Sequence, residues 1–166
     1  MERFSLNWHF AAHESQLSGK SAIELRHLES LLGEPMMLVS GDEIRCMSNV
    51  CTHRGMLLVD GSCSRTTLQC PYHGRTFGLD GTMKSMPEFD LVEGFPAAED
   101  DLRIFPSISW KGLVFAGLEP SGLEACLGEM ESRIGWMPIE KFEYDHSRNR
   151  CYEIKANWAL YVDNYL

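Results

Sequence analysis

Two short segments constrain this chain more than anything else in it: CTHRG at Cys51–Gly55 and CPYHG at Cys70–Gly74. Each sets one cysteine close to one histidine and ends on glycine. As one pattern, Cys51, His53, Cys70 and His73 give C-x-H, sixteen intervening residues, then C-x2-H. Two neighbouring loops that each offer a thiolate and an imidazole can converge on one inorganic site. Gly55 and Gly74 relieve steric conflict where the backbone comes close, and Pro71 stiffens the second loop by fixing its φ angle. A single cysteine or histidine on such a loop is more often a packing or capping residue. Four at this spacing, with those glycines, make coincidence a poor account.

Two kinds of metal site fit four such donors. A tetrahedral zinc with two sulfurs and two nitrogens would be structural and redox-silent. A [2Fe–2S] cluster in which two histidines replace two cysteines on one iron would carry electrons. Zinc modules usually group ligands of one kind, C-x2–4-C followed by H-x3–5-H. Here each loop carries one of each, which suits a two-metal cluster that both loops touch.

The remaining sequence describes the scaffold. At 166 residues the chain is one domain, or one domain with an appendage. A chain of this size can bury roughly 68–70% of its unfolded surface, so it needs neither disulfides nor metal merely to fold. The net charge of −9 argues against nucleic acid or an anionic membrane as partner. The start, MERFSLNWHF, lacks the basic segment and apolar run of a signal peptide. No apolar stretch approaches the length of a membrane span. The expected compartment is the cytoplasm, where the six cysteines stay reduced and paired patterns read as metal or redox sites before disulfides.

Short apolar runs between turns predict an all-β, mainly antiparallel fold. Met36–Ser40 and Glu43–Ser48 read as a hairpin joined by Gly41-Asp42. In AIELRHLESLLGE, Ile23 and Leu25 alternate like a strand, whereas Leu28, Leu31 and Leu32 fit helical spacing; a strand is expected at its start. Gly61, Gly74, Gly78 and Gly81 come too often for a helix interior, so DGSCSRTTLQC and GRTFGLDGTM read as short strands. Leu102–Phe105 and Leu113–Ala116 add two more. The spacing of Leu123, Leu127, Met130 and Ile134 predicts a short amphipathic helix over 121–135, with Ser121 as its N-cap. NRCYEIKANWALYVDNYL begins another element.

The two boxes, within NVCTHRGMLL and LQCPYHGRTFGLDGTM, and the closing ANWALYVDNYL resemble the N-terminal Rieske domain of ring-hydroxylating (Rieske non-haem iron) oxygenase α-subunits. The resemblance implies a Rieske-type iron–sulfur fold with a small cluster-binding subdomain of two loops and one [2Fe–2S] cluster. Cys51 and Cys70 would hold the buried iron, His53 and His73 the outer one. Backbone N–H groups around Arg54, Gly55, Tyr72 and Gly74 would hydrogen-bond the cluster sulfurs. Residues 1–120 would be the Rieske domain, and 121–166 a helix and the start of a catalytic-domain-like segment.

The implied function is electron transfer. A ferredoxin or flavin reductase would be the donor, and an oxygenase catalytic domain the acceptor, in a homotrimer of the full-length protein. That family holds a mononuclear iron with two histidines and a carboxylate. Asp163 and Asn164 resemble the acidic-Asn pair that precedes those ligands, and no histidine follows His146. The mononuclear iron is therefore expected only in a domain this chain lacks, the chain alone is expected not to hydroxylate, and a truncated oxygenase chain is the favoured expectation. The alternative is a stand-alone Rieske-type ferredoxin; the helix at 121–135 and the NWALYVDN tail speak against it.

Two departures narrow the type. Met56 and Tyr72 stand where respiratory Rieske proteins carry the extra cysteines of a disulfide, so that bridge is not expected. Phe77 offers no hydroxyl donor, which places the potential toward the lower end of roughly −150 to +300 mV. Cys46, Cys63, Cys126 and Cys151 are expected as small buried hydrophobes, and His9, His13 and His27 as surface histidines.

Overall fold

The run Met36-Met37-Leu38-Val39 has no polar face, and a strand of that kind is stable where both its sides are covered. The computed structural model, which describes residues 2–89 and 91–165, covers it on both sides. The strands are β1 His9–His13, β2 Ala22–Glu24, β3 Met36–Ser40, β4 Ile44–Ser48, β5 Ser62–Cys63, β6 Leu68–Gln69, β7 Thr76–Phe77, β8 Met83–Ser85, β9 Ile104–Phe105, β10 Ser107–Trp110 and β11 Leu113–Ala116. The helices are α1 Glu2–Ser5, α2 Arg26–Leu32, α3 Leu123–Ile134 and α4 Ala159–Tyr165.

β3 lies in the middle of an antiparallel sheet of order β5-β2-β3-β4-β9. Its side chains alternate between two cores. Met36 and Leu38 pack with Ala12, Leu28, Phe105 and Val114 on the side of the sheet β1-β11-β10. Met37 and Val39 pack with Met47, Leu68, Phe77 and Met83 on the side of the small sheet β6-β7-β8. The expected all-β, mainly antiparallel class is what forms. The second core also takes in Cys51 and Cys70.

Local departures have physical reasons. Ser40 pairs with Ile44, so Gly41-Asp42-Glu43 forms the hairpin connection and β4 begins one residue later than expected. Placing Glu43 opposite Ser40 would slip β4 by one residue and swap Cys46 and Met47 between the cores. AIELRHLESLLGE resolves into both readings: β2, then α2, which buries Leu28 and Leu32 and ends at Gly33 with φ 71°. Helix α3 forms as expected and buries Leu123 and Leu127, but its N-cap is Gly122 at φ 74°, not Ser121, and no side chain caps it. Of the four further cysteines, Cys46 is buried and Cys63 half-buried, whereas Cys126 and Cys151 are exposed. Cys126 lies off the buried stripe of α3, and Cys151 lies in a stretch, 140–164, where every residue is exposed. Burial pushes the Cys46 thiol up to about 12, which leaves it protonated and inert at neutral pH.

His13 is also not a surface residue. It is buried, and its Nδ1 accepts the Ser15 N–H at 3.1 Å to cap the turn Glu14–Leu17. His9 is half-buried, its Nε2 lying 2.8 Å from the Phe4 carbonyl, and His27 is exposed as expected. Among the described residues no helix is long and apolar enough to cross a membrane.

A candidate metal centre on two matched loops

The two boxes fold alike. The Cys51 N–H donates to the Met56 carbonyl at 2.8 Å, and the Gly55 N–H donates to the Cys51 carbonyl at 3.0 Å. In the second box the Cys70 N–H donates to the Arg75 carbonyl at 2.8 Å, and the Gly74 N–H to the Cys70 carbonyl at 3.0 Å. Both turns close on a glycine in the left-handed region, Gly55 at φ 71° and Gly74 at φ 74°, a conformation that disfavours side chains. The second loop is simply the tip of the β6–β7 hairpin. The first is anchored by Asn49, which is fully buried. Its Nδ2 donates to the Val59 carbonyl at 2.7 Å and its Oδ1 accepts the Val59 N–H at 2.9 Å, pinning both ends of the segment. The N–H groups of Gly55 and Gly74, expected to face cluster sulfurs, are thus taken up by cysteine carbonyls.

The four donors named from sequence come together, sorted by element. Cys51 and Cys70 are each 2% exposed at the edge of the second core. His53 and His73 are half-buried at the rim, ring centroids 4.9 Å apart at 63°. Tyr72 stacks on His73 at 3.7 Å and 27°. Among the described residues no three His, Cys, Asp or Glu side chains are grouped to hold one metal ion. The division into a buried thiol pair and a rim imidazole pair suits two metals with two donors each.

Electrostatics separate the two pairs. Burial, with the neighbouring Cys70, pushes the Cys51 thiol up, against the pull of the His53 backbone N–H and the Arg75 cation. Desolvation first, then the nearby His73, Arg54 and Arg75, hold His53 below the ordinary imidazole value. A neutral imidazole is the form that binds metal. His73 Nδ1 is buried with no hydrogen-bond partner. Such orphaned groups are rare in folded proteins, and a metal would satisfy this one. The residues therefore fit a [2Fe–2S] group.

Sequence reasoning missed three supporting residues besides Asn49. Arg75 is buried, and its Nη1 donates to Thr52 Oγ1 at 2.7 Å while Nη2 donates to Asp100 Oδ1 at 2.9 Å. Thr52 Oγ1 in turn donates to the Asp100 carbonyl at 2.7 Å. Phe77 lies fully buried in the second core, an apolar neighbour as its side chain requires.

Comparison with known proteins gives this arrangement a context. The chain is 29% identical to the carnitine monooxygenase oxygenase subunit of Acinetobacter pittii, over 98% of this chain and 44% of that protein. It is 31% identical to the chloroplastic choline monooxygenase of Amaranthus tricolor, over 98% of this chain and 38% of that protein. A quaternary ammonium Rieske monooxygenase solved with L-carnitine superposes with a TM-score of 0.79 at 29% identity, over 98% of this chain and 47% of that chain. Another structure of a quaternary ammonium Rieske monooxygenase, described for carnitine oxidation by gut microbiota and inter-subunit electron transfer, matches with a TM-score of 0.68 at 30% identity, over 80% of this chain and 37% of that chain. This chain spans less than half the length of each of these proteins. Residues 7–96, which contain both loops, match the family model of the Rieske [2Fe–2S] domain. On that match, over more than half its length, the chain belongs to the Rieske [2Fe–2S] domain family.

Proposed function

We propose that this chain is the electron-transfer domain of a Rieske-type oxygenase, with Cys51 and Cys70 on one iron of a [2Fe–2S] cluster and His53 and His73 on the other. The observation that carries the ligand set is the sorting of donors into a buried thiol pair and a rim imidazole pair, with His73 Nδ1 left unpartnered. When bound, such a cluster supplies reversible one-electron transfer. The chain's own residues give the site two unlike sides. Leu68, Phe77 and Met83 pack in the same core as the cysteines and keep water from the sulfurs. His53 and His73 reach the surface among exposed Met56, Leu57 and Tyr72, where a partner meets the imidazoles first.

The donor is a ferredoxin or flavin reductase, and the acceptor a mononuclear iron in an oxygenase catalytic domain of a trimeric full-length protein. What favours this over a stand-alone Rieske ferredoxin is the reach of the likeness. It covers 98% of the chain, including the segment beyond residue 96 that holds α3 and α4. In this reading 1–120 is the Rieske domain and 121–166 begins the catalytic-domain-like part. The setting is cytoplasmic, where the thiols outside the cluster, Cys46, Cys63, Cys126 and Cys151, stay reduced.

Spectroscopy tests the ligand set. Dithionite-reduced protein, reconstituted without oxygen, is expected to show a Rieske EPR signal with two irons per chain. Cys70→Ser is expected to lose it. A colourless protein holding stoichiometric zinc, or a normal signal in Cys70→Ser, overturns the assignment. Bleaching of the oxidised visible band by a reduced ferredoxin or flavin reductase checks the donor; reduction by dithionite alone counts against it.

A further inference from the structure

We infer that Arg75 is a positioning residue that, through Thr52 and Asp100, ties the two metal-binding loops together and places a fixed positive charge that favours the reduced cluster. The inference rests on the cluster-binding reading above.

Arg75 belongs to both loops at once. Its carbonyl accepts the Cys70 N–H at 2.8 Å, closing the second box. Its guanidinium crosses to the first box, donating to the hydroxyl of Thr52, the residue between Cys51 and His53, at 2.7 Å. Asp100 holds the other end. It accepts from Nη2 at 2.9 Å through Oδ1, and its Oδ2 accepts the Ala97 N–H at 3.0 Å. The Phe95 ring lies under the guanidinium, 5.4 Å from its centre. This contact set fixes the spacing of the loops from outside the donor set.

The charges in this bridge do not cancel. The Arg75 side chain is 6% exposed, while that of Asp100 is 21% exposed and so is better screened by water. Arg75 Nε is buried and has no acceptor. A guanidinium stays charged at any working pH. One-electron reduction adds one negative charge to a cluster, and a fixed cation favours that state. A unit charge acting over about 10 Å at an effective dielectric of about 20 changes an equilibrium roughly tenfold. Arg75 therefore raises the potential that Phe77, with no hydroxyl to donate, would otherwise leave low. Asp100 opposes it.

Redox titration of the cluster-loaded chain, with dithionite as the electron source, tests this by the sign of the shifts. R75Q is expected to lower the reduction equilibrium constant about tenfold, equivalent to 59 mV for one electron. R75K, which keeps the charge, is expected to restore most of the wild-type value. D100N is expected to raise it. A purely structural bridge would make all three shift in the same direction, and that outcome, or an unshifted R75Q, overturns the inference. If R75Q does not hold a cluster, D100N decides: a rise supports the inference, and no change or a fall overturns it. A wild-type chain without a Rieske signal removes the underlying reading and this inference with it. A normal wild-type signal with unshifted variants removes this inference alone.

Discussion

Gly74 carries two constraints where Gly55 carries one. Both sit in the left-handed region. A Cβ on Gly55 would lie 4.0 Å from Val50 Cγ1, an ordinary contact, whereas a Cβ on Gly74 would lie 3.1 Å from Pro87 Cγ. Gly55→Ala is expected to cost about 1–2 kcal/mol through its backbone conformation. Gly74→Ala is expected to cost about 1–3 kcal/mol more, because the proline ring cannot rotate aside. Urea denaturation of the two variants checks the difference; equal losses would show that Pro87 yields freely. At this scale the four candidate donors stand out, because Cys51, His53, Cys70 and His73 lie in two compact words of sequence. The residues that brace them do not. Arg75 finds Thr52 and Asp100 at separations of 23 and 25 residues. Asn49 finds Val59 across 10. Pairings of that kind follow from how the loops meet, not from local pattern.

Elements show the same division between local and distant causes. The β3–β4 hairpin and α3 were readable from periodicity and turn residues, but the hairpin register depends on which core each side chain must enter, and that requires knowing that two cores exist. The β7–β8 turn is held more locally. Asp80 Oδ1 accepts the Thr82 hydroxyl at 2.7 Å and the Thr82 N–H at 3.0 Å, and Lys84 lies 3.6 Å from Oδ2. The Thr82 hydroxyl is the main cause holding the Asp80 carboxyl below its ordinary value, followed by the Thr82 N–H. A carboxyl lowered in the folded state adds stability above the ordinary carboxylate range, and that stability is lost as pH falls through the lowered value. Thr82→Val is therefore expected to be slightly less stable than wild type at pH 7 and to converge with it in acid. The effect is small because the Asp80 side chain is 48% exposed. Urea midpoints at pH 7 and pH 3 check it; a gap that widens in acid would mean that another group carries the turn.

At the scale of the whole molecule, burial is unevenly distributed along the chain. Two cores take in the strands, α2 and the cysteines of the loops, and buried positions continue through Leu123, Leu127 and Ile139. From Glu140 to Asn164 every residue is exposed, including Tyr152, Trp158 and Leu160. Contacts back to the body include a Tyr144 N–H to Ser15 Oγ bond at 3.1 Å and an edge-on contact of Trp158 with Phe4 at 5.6 Å. Composition did not reveal this, since the stretch is about as apolar as the chain as a whole, which is 44% hydrophobic; what differs is that its side chains are not packed into either core. Local opening is easiest where few apolar groups are buried, so brief trypsin digestion is expected to cut first after Lys141, Arg148, Arg150 or Lys155. The remaining body keeps both loops, Arg75 and Asp100, and is expected to retain the visible spectrum of the bound cluster. Arg54 is also exposed, but it sits in a turn closed by the Gly55 to Cys51 hydrogen bond at 3.0 Å. Mass spectrometry of the early products checks the order. First cuts at Arg54, with loss of colour before the tail is removed, would show that the loops open more easily than the segment after Ile139, and that the bridge through Arg75 does not hold them shut.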